Sequence, residues 1–179
     1  MIINPFIFAQ AIPPFTNTKS IIFDGIDDYI DCGQPAIFDS TTNYSISTWF
    51  KTSSTATQGI YTYVPYTPTI SNGWIELGIS STSFTPVICN GAITYGQTST
   101  GASLSTWYNV VVVFNGGGAT NADRLKIYIN GVDTAMTFTG TIPSVTAKPF
   151  TGPDPKINKI TAAINVVTLA SITVILALL

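Results

Sequence analysis

Residues 44–51 read YSISTWFK, and this short stretch decides the fold. Successive side chains of a strand point to opposite faces of a sheet, so a period of two marks a strand with one buried face. The side chains predicted to point inward are Tyr44, Ile46, Thr48 and Phe50. Those predicted to point outward are Ser45, Ser47, Trp49 and Lys51. The stretch therefore predicts a half-buried β-strand.

The stretches that follow along the chain show related patterns. Residues 73–80, GWIELGIS, place both isoleucines and the leucine on one side. Residues 107–115, WYNVVVVFN, are apolar on both faces, which predicts a central strand. Residues 125–129, LKIYI, send the leucine and both isoleucines to one face and the lysine and tyrosine to the other. Each stretch therefore predicts a further strand.

Two Asn-Gly pairs mark predicted hairpin turns, because both central residues of such a turn need positive φ. Asn90-Gly91 follows PVIC, and Asn130-Gly131 follows KIYI. No stretch before residue 155 shows the 3.6-residue period of an amphipathic helix. Strands that recur with turns between them predict an all-β protein, an antiparallel β-sandwich.

The composition excludes several classes of function. Charged residues make up 9% of the chain, against about a quarter in an average domain, so uncharged polar residues must keep the protein in solution. Seven Lys and Arg against nine Asp and Glu, with no basic run, predict no nucleic-acid partner. The chain has no histidine, the commonest general base and metal ligand. Cys32 and Cys89 could form one disulfide bridge, but no spacing rule pairs them, and we favour two buried free thiols.

The chain divides into three predicted segments. Residues 1–19 form an N-terminal arm without a sustained period. Its predicted apolar anchors are Phe6, Phe8 and Phe15. Residues 20–150 form the sandwich, and residues 151–179 form a hydrophobic C-terminal tail.

The last twenty residues, 160–179, carry no charge, and three interpretations of them stay open. A membrane span needs about twenty apolar residues, so a membrane partner is open through this segment and through no other. Alternatively, two buried strands close the sandwich, or the segment is buried in a neighbouring subunit. Polar residues spread through the segment favour burial in protein over membrane. These are Asn165, Thr168, Ser171 and Thr173.

Three stretches, in order along the chain, resemble motifs of the laminin-G-like, or concanavalin A-like lectin/glucanase, superfamily. The opening strand is matched by residues 20–33, SIIFDGIDDYIDCG. The second motif is matched by YSISTWFKT, and the third by WYNVVVVFNGGG followed by RLKIYINGV. Such domains usually close with strands resembling Phe-Asn-Gly-x-Ile-Asp-Glu-Val beside the opening strand, and nothing after Phe150 matches them. The first residues, MIINPFIFA, also resemble the start of small phage-encoded proteins that carry this domain.

The resemblance implies a jelly roll of the concanavalin A-like type with a role in adhesion or assembly. It implies localisation in a virion or on an extracellular surface. The implied partners are glycans or other virion and surface proteins, and the implied state is an oligomer or part of an assembly.

The four aspartates of the opening stretch raise the question of chemistry. Glycoside hydrolysis needs two carboxylates across the scissile bond, but the neighbours Asp27 and Asp28 would point to opposite faces of an extended strand. We predict instead that Asp24 and one of Asp27 or Asp28 accept backbone N–H groups and hold the turn after the first strand. The resemblance makes calcium a candidate ligand, since some family members bind it. The loops offer no Asp-x-Asp-x-Asp ladder, so we predict no metal and no other cofactor.

Residues 59–74, GIYTYVPYTPTISNGW, have the composition of a glycan site, which needs an aromatic platform beside hydrogen-bonding groups. The predicted ligand-binding residues are Tyr61, Tyr63, Tyr66, Asn72 and Trp74. The alternative, that these tyrosines pack over the sheet edge or against another subunit, has slightly more in its favour. Trp49 and Trp107 lie inside strand motifs and are predicted to be packing residues.

These patterns favour a non-catalytic binding or structural module over an enzyme. The chain has a single glutamate, Glu76, and no Glu-x-Asp-x-x-Glu motif of the kind that hydrolases with this fold present. Two alternatives stay open: a glycoside hydrolase of the same fold, and a surface lectin anchored by its tail.

Overall fold

The computed structural model describes residues 20–33, 35–63 and 72–147, together with the backbone of residues 167–171. The predicted arm and its three phenylalanine anchors lie outside the described residues. The strands are β1 (Ile21–Ile22), β2 (Asn43–Thr52), β3 (Gln58–Tyr63), β4 (Asn72–Ile79), β5 (Phe84–Asn90), β6 (Tyr95–Gln97), β7 (Trp107–Asn115), β8 (Leu125–Ile129), β9 (Val132–Thr134), β10 (Thr137–Thr139) and β11 (Val167–Ser171).

The strands form two antiparallel sheets. One has six strands in the order β1-β11-β2-β7-β8-β9, and the other has five in the order β10-β6-β5-β4-β3. The described helical segments are a 3-10 turn, Ala36–Phe38, and the four-residue helix α1, Asn121–Arg124. The predicted all-β antiparallel sandwich is therefore confirmed.

The hydrophobic core lies between the two sheets. Every inward residue predicted for β2 is buried, and β7 occupies the predicted central position between β2 and β8. Phe50 of β2 and Phe84 of β5 meet across the core with ring centroids 6.2 Å apart. Tyr108 stacks on Phe50 at 5.7 Å. Burial of each such side chain contributes about 1.5–3 kcal/mol, so this alternation is the main source of stability.

The outward side of β2 corrects one prediction. Trp49 was predicted to be a packing residue, but 46% of its surface is exposed. The cause is the same period of two that buries Phe50, since neighbouring side chains on a strand point to opposite faces. Trp107 is half-buried, and the Lys51 ammonium lies 5.3 Å from the centroid of its ring.

The two predicted Asn-Gly turns differ. Asn130 and Gly131 have φ of 51° and 81°, and they alone separate β8 from β9, as predicted. Gly91 has a φ of 83°, but Asn90 stays in β5, and β6 begins only at Tyr95. The predicted hairpin is confirmed, since β5 and β6 pair antiparallel, but the two-residue turn at Asn90-Gly91 was wrong. The side-chain amide of Asn90 donates to a distant backbone carbonyl at 3.0 Å, which holds this residue in the strand.

The two cysteines are free thiols. Cys89 of β5 is completely buried, as predicted. Cys32 is exposed in the loop after the opening strand, so the prediction of a second buried thiol was wrong. The same loop turns Ile30 towards the core, and Cys32, two residues later, lies in its exposed part.

Residues 167–171 complete the six-stranded sheet. Their strand, β11, lies between β1 and β2, with Ile21 opposite Leu169 and Lys51 opposite Thr168. The second interpretation of residues 160–179 expected two buried strands that close the sandwich; the described residues supply one strand at this position. The remainder of the tail lies outside the described residues, and the segment boundary at residue 150 stays a prediction. Within the described part of the chain, no helix is long and apolar enough to cross a bilayer.

Candidate functional site

The outer face of the five-stranded sheet carries a groove with a volume of ≈ 390 Å³. Small-molecule sites usually occupy clefts of about 300–1,000 Å³, so the groove is large enough for a small ligand. It lies across β4, β5 and β6, next to the turn that joins β4 to β5. The lining residues most important to its shape and chemistry are Trp74, Glu76, Gly78, Thr85, Tyr95 and Gln97.

The strand register explains why these residues meet. Glu76 of β4 is opposite Val87 of β5, and Val87 is opposite Tyr95 of β6. Side chains on one face of paired strands lie side by side, so these three form one row across the sheet. In the neighbouring row, Gly78 is opposite Thr85.

Gly78 forms the floor of the groove. A Cβ atom at this position would lie 3.3 Å from Glu76 Oε1 and 3.8 Å from the Cβ of Thr85. Because glycine has no side chain, the space beside the carboxylate stays open. A glycine inside a strand often marks a close approach of this kind.

A β-bulge places Trp74 at the edge of the groove. The register between β4 and β5 shifts between residues 72 and 75, and Gly73 has a φ of 107°. A bulge redirects the next side chain and often lies beside a functional site. The indole Nε1 of Trp74 donates to Glu76 Oε2 at 2.7 Å, which fixes the ring against the carboxylate.

Glu76 occupies a partly buried environment that favours its neutral form. Burial raises the pKa of the Glu76 carboxyl, while hydrogen bonds from Trp74 and Thr62 act in the opposite direction. The charge of Glu76 also affects the pKa of two neighbouring groups. Burial raises the pKa of Tyr61 and of Cys89, and the Glu76 carboxylate adds to both shifts.

The five predicted ligand-binding residues occupy different environments. Trp74 lies in the groove, whereas Tyr63 is 5% exposed and its hydroxyl donates to Asp39 Oδ1 at 2.7 Å. The hydroxyl of Tyr61 is buried and has no hydrogen-bond partner among the described residues. Tyr66 and the side chain of Asn72 lie outside the described residues. A ligand-binding role for these five residues stays a prediction.

Sequence reasoning missed most of the groove. Glu76, Thr85, Tyr95 and Gln97 come from three strands and are brought together by register, which one sequence does not show. One signal was present: Gly78 interrupts a strand pattern, and isolated glycines in strands indicate a bulge or an open space.

The aspartates of the opening stretch hold a turn, as predicted. Asp28 Oδ2 accepts the backbone N–H of Asp24, and Asp24 Oδ1 accepts that of Ile26, both at 2.8 Å. The prediction that Asp27 and Asp28 diverge was wrong. Carboxylate oxygens of Asp24, Asp27 and Asp28 lie within 4.8 Å of one another. The chain bends after Gly25, whose φ is 81°, so the alternation of an extended strand does not apply there.

Two of the solved structures that match the chain differ in how closely they resemble it. The sialidase module CBM40 of Ruminococcus gnavus, solved with α2,3-sialyllactose bound, matches with a TM-score of 0.53 and 13% identity, covering 86% of this chain and 91% of the module. A SAP-like pentraxin from Limulus polyphemus matches with a TM-score of 0.39 and 13% identity over 73% of this chain. The chain spans 52% of that pentraxin, about half its length. No curated protein matches the chain in sequence.

The family assignment comes from the sequence as a whole. A laminin-G-type family model matches residues 24–168, which run from the aspartate turn into β11. The match therefore includes both sheets and the groove. The chain belongs to the concanavalin A-like lectin/glucanases superfamily.

Proposed function

We propose that this chain is a non-catalytic glycan-binding module and that the groove is its binding site. The observation that carries the proposal is the Trp74 ring held by its hydrogen bond to Glu76 at the edge of an open depression. A sugar ring presents C–H groups on its faces and hydroxyl groups at its edge. An aromatic ring packs against the former, and a carboxylate accepts hydrogen bonds from the latter.

The remaining polar groups of the groove are held in place before any ligand arrives. The backbone N–H of Ser83 donates to Ser80 Oγ at 3.1 Å, and Gln97 Nε2 donates to Ser83 Oγ at 3.1 Å. The hydroxyls of Ser80 and Thr82 lie 3.1 Å apart. Groups already ordered lose little conformational entropy on binding, which supports recognition at this surface.

Binding fits the groove better than hydrolysis does. Two carboxylates on either side of the scissile bond are the usual requirement for glycoside cleavage. Among the described residues that line the groove, Glu76 supplies the one carboxylate. The fold is also compatible with a binding role, since the similar CBM40 module was solved with a bound sugar.

The proposal includes a biological setting. A chain that is 9% charged, with soluble surfaces made of Ser, Thr and Asn, suits a virion or extracellular surface. There it contacts glycans through the groove and neighbouring subunits through other surfaces.

Two tryptophan variants test the site. Trp74→Ala removes the ring in the groove, whereas Trp49→Ala removes an exposed ring from the other sheet and serves as the matched control. On a glycan array followed by calorimetry, we expect Trp74→Ala to weaken binding by about tenfold or more and Trp49→Ala to leave it unchanged. An array without signal for the unmodified chain, or equal losses for both variants, would refute the proposal.

A cleavage assay separates binding from catalysis. The unmodified chain is incubated with any polysaccharide that it binds, and new reducing ends are counted. We expect none. Release of reducing ends that stops in Glu76→Gln would make the protein a hydrolase and overturn the non-catalytic part of the proposal.

A further inference from the structure

The groove is polar but nearly without charge. Of its described lining residues, Glu76 is the single charged one, and the others are hydroxyl, amide, aromatic, aliphatic or glycine. Oε2 of Glu76 accepts a hydrogen bond from Trp74 at 2.7 Å, and the hydroxyl of Thr62 also donates to this carboxylate. Oε1 lies 3.3 Å from where a Cβ of Gly78 would be, and both residues line the groove. A carboxylate oxygen has more than one lone pair, so a ligand hydroxyl that reaches Oε1 can still donate to it.

The described cations lie elsewhere. Lys51 covers the Trp107 ring, and Lys126 is 3.8 Å from Asp133. Both lysines are on the outer face of the six-stranded sheet, and the hydrophobic core separates that sheet from the groove. Arg124 is at the end of α1, where its guanidinium donates to two backbone carbonyls at 2.8 and 2.9 Å. None of these three cations lines the groove.

This distribution of charge determines which sugars the groove accepts. Proteins recognise carboxylate and sulfate groups with Arg or Lys, often through paired hydrogen bonds. An anionic sugar in this groove would lose its hydration without gaining a cation, and it would be repelled by Glu76. A neutral sugar is instead attracted by Glu76, because its hydroxyl groups donate to a carboxylate in short, strong hydrogen bonds.

From this arrangement we infer that the groove selects neutral glycans and discriminates against sugars that carry carboxylate or sulfate groups. The inference rests on the proposed function and names its ligand class. Glu76 has two roles in this selection: its carboxylate accepts hydrogen bonds from sugar hydroxyls, and its negative charge repels anionic sugars.

Matched glycan pairs test the inference. The full chain is applied to an array that carries each glycan with and without a terminal sialic acid or a sulfate, lactose and 3′-sialyllactose among them. We expect the neutral member of each bound pair to bind about tenfold more tightly or better, from like-charge repulsion and the missing cation. Glu76→Gln, which removes the charge and keeps an acceptor oxygen, should narrow that preference. Asp133→Asn, a carboxylate on the other sheet, should leave it unchanged.

Salt gives a second measurement that needs no variant. Raising the ionic strength screens repulsion, so the preference for the neutral member should shrink in the unmodified chain. Binding of acidic members equal to or tighter than that of neutral ones, lost in Trp74→Ala, would overturn the inference and leave the proposed function standing. Absence of any glycan binding, or binding insensitive to Trp74→Ala, would overturn the proposed function and this inference with it.

Discussion

On the outer face of the six-stranded sheet, β2 and β7 pair without interruption over nine consecutive positions, from Asn43 opposite Asn115 to Lys51 opposite Trp107. On the outer face of the five-stranded sheet, the register shifts twice. One shift lies in β3 between Gly59 and Tyr61, and the other in β4 between residues 72 and 75. The six-stranded sheet also has one register shift, between β11 and β2, but the β2–β7 pairing has none. The groove described lies on the sheet with two shifts.

The difference shows what local irregularity contributes. A regular pair of strands presents a filled surface, as where Lys51 covers Trp107. In the other sheet, a bulge redirects Trp74, and Gly78 leaves the adjacent position empty. Bulges in strands usually carry a structural or functional purpose. The candidate site therefore depends on a few local exceptions to a pattern that β2 and β7 follow along their whole pairing.

The largest expected effect comes from comparing a buried residue of β2 with its exposed neighbour. Phe50→Ala removes a completely buried ring from the core, and we expect it to lower the free energy of unfolding by about 3–5 kcal/mol. Trp49→Ala, one residue earlier and largely exposed, should change it by about 0.5 kcal/mol or less. Urea denaturation followed by circular dichroism measures both. If Phe50→Ala does not fold, Phe50→Leu should still cost about 1 kcal/mol; equal losses at the two positions would contradict the assignment of faces.

The next variant fills the recess at Gly78, on the outer face of the five-stranded sheet. Gly78→Val adds a branched side chain beside Glu76 and Thr85, so glycan binding should fall by about tenfold or more. A β-branched residue suits a strand, but even a Cβ here would lie 3.3 Å from Glu76 Oε1, so the free energy of unfolding should fall by about 1–3 kcal/mol. Ser45→Val, at an outward position of the uninterrupted β2, is the matched control. Equal binding by the Gly78 variant and the unmodified chain would show that the ligand lies elsewhere.

A third comparison concerns two tyrosines in the interrupted strand β3. Tyr63→Phe loses the hydrogen bond to Asp39, and we expect a cost of about 1–2 kcal/mol. Tyr61→Phe removes a buried hydroxyl that has no partner in the part of the chain that the structure describes, so it should be neutral or stabilising. Thermal and urea unfolding distinguish the two. A larger loss for Tyr61→Phe than for Tyr63→Phe would mean that its hydroxyl is hydrogen-bonded in solution.

The smallest expected effect is the pH dependence due to Glu76. Its pKa is raised in the folded protein, chiefly by burial, above the ordinary value of 4.5. The folded state then holds its proton more tightly than the unfolded state, so this stabilisation is complete below pH 4.5 and is lost as the pH rises through the raised pKa. The stability of Glu76→Gln relative to the unmodified chain should therefore increase with pH over that interval. Partial exposure of the carboxyl keeps the change below about 1 kcal/mol.

The control for this pH effect is Ser45→Val, which changes no titratable group. Stability curves of both variants are measured at several pH values, and the increase should be confined to Glu76→Gln. A relative stability of Glu76→Gln that falls with rising pH would mean that hydrogen bonds from Trp74 and Thr62 outweigh burial.

The strands could be predicted because burial depends on a local pattern. The alternation around Phe50 fixed both faces of β2, and Asn130-Gly131 fixed a turn, since each requires only neighbouring residues. Trp49 was misjudged because its aromatic character was given more weight than its position in that alternation. Asn90 was misjudged because its side chain is held by a carbonyl 55 residues away along the chain.

The groove could not be predicted in the same way. It depends on which residue of β4 lies opposite which residue of β5, and the bulge at Trp74 changes that register by one residue. A shift of one residue transfers a side chain to the other face. The composition of residues 59–74 therefore predicts Trp74, whereas the position of Glu76 beside it and the recess at Gly78 are visible only in the structure.

The place of β11 has a consequence for how the protein is made. The edge of β2 that β11 occupies is completed roughly 120 residues after β2 itself has been synthesised. At about 5–20 residues per second, translation leaves that edge open for on the order of 6–24 s. An open edge accepts any extended segment that reaches it, including one from another nascent chain. Ribosomes spaced closely on one message would therefore favour exchange of this strand between chains, and slower initiation would favour each chain closing on itself.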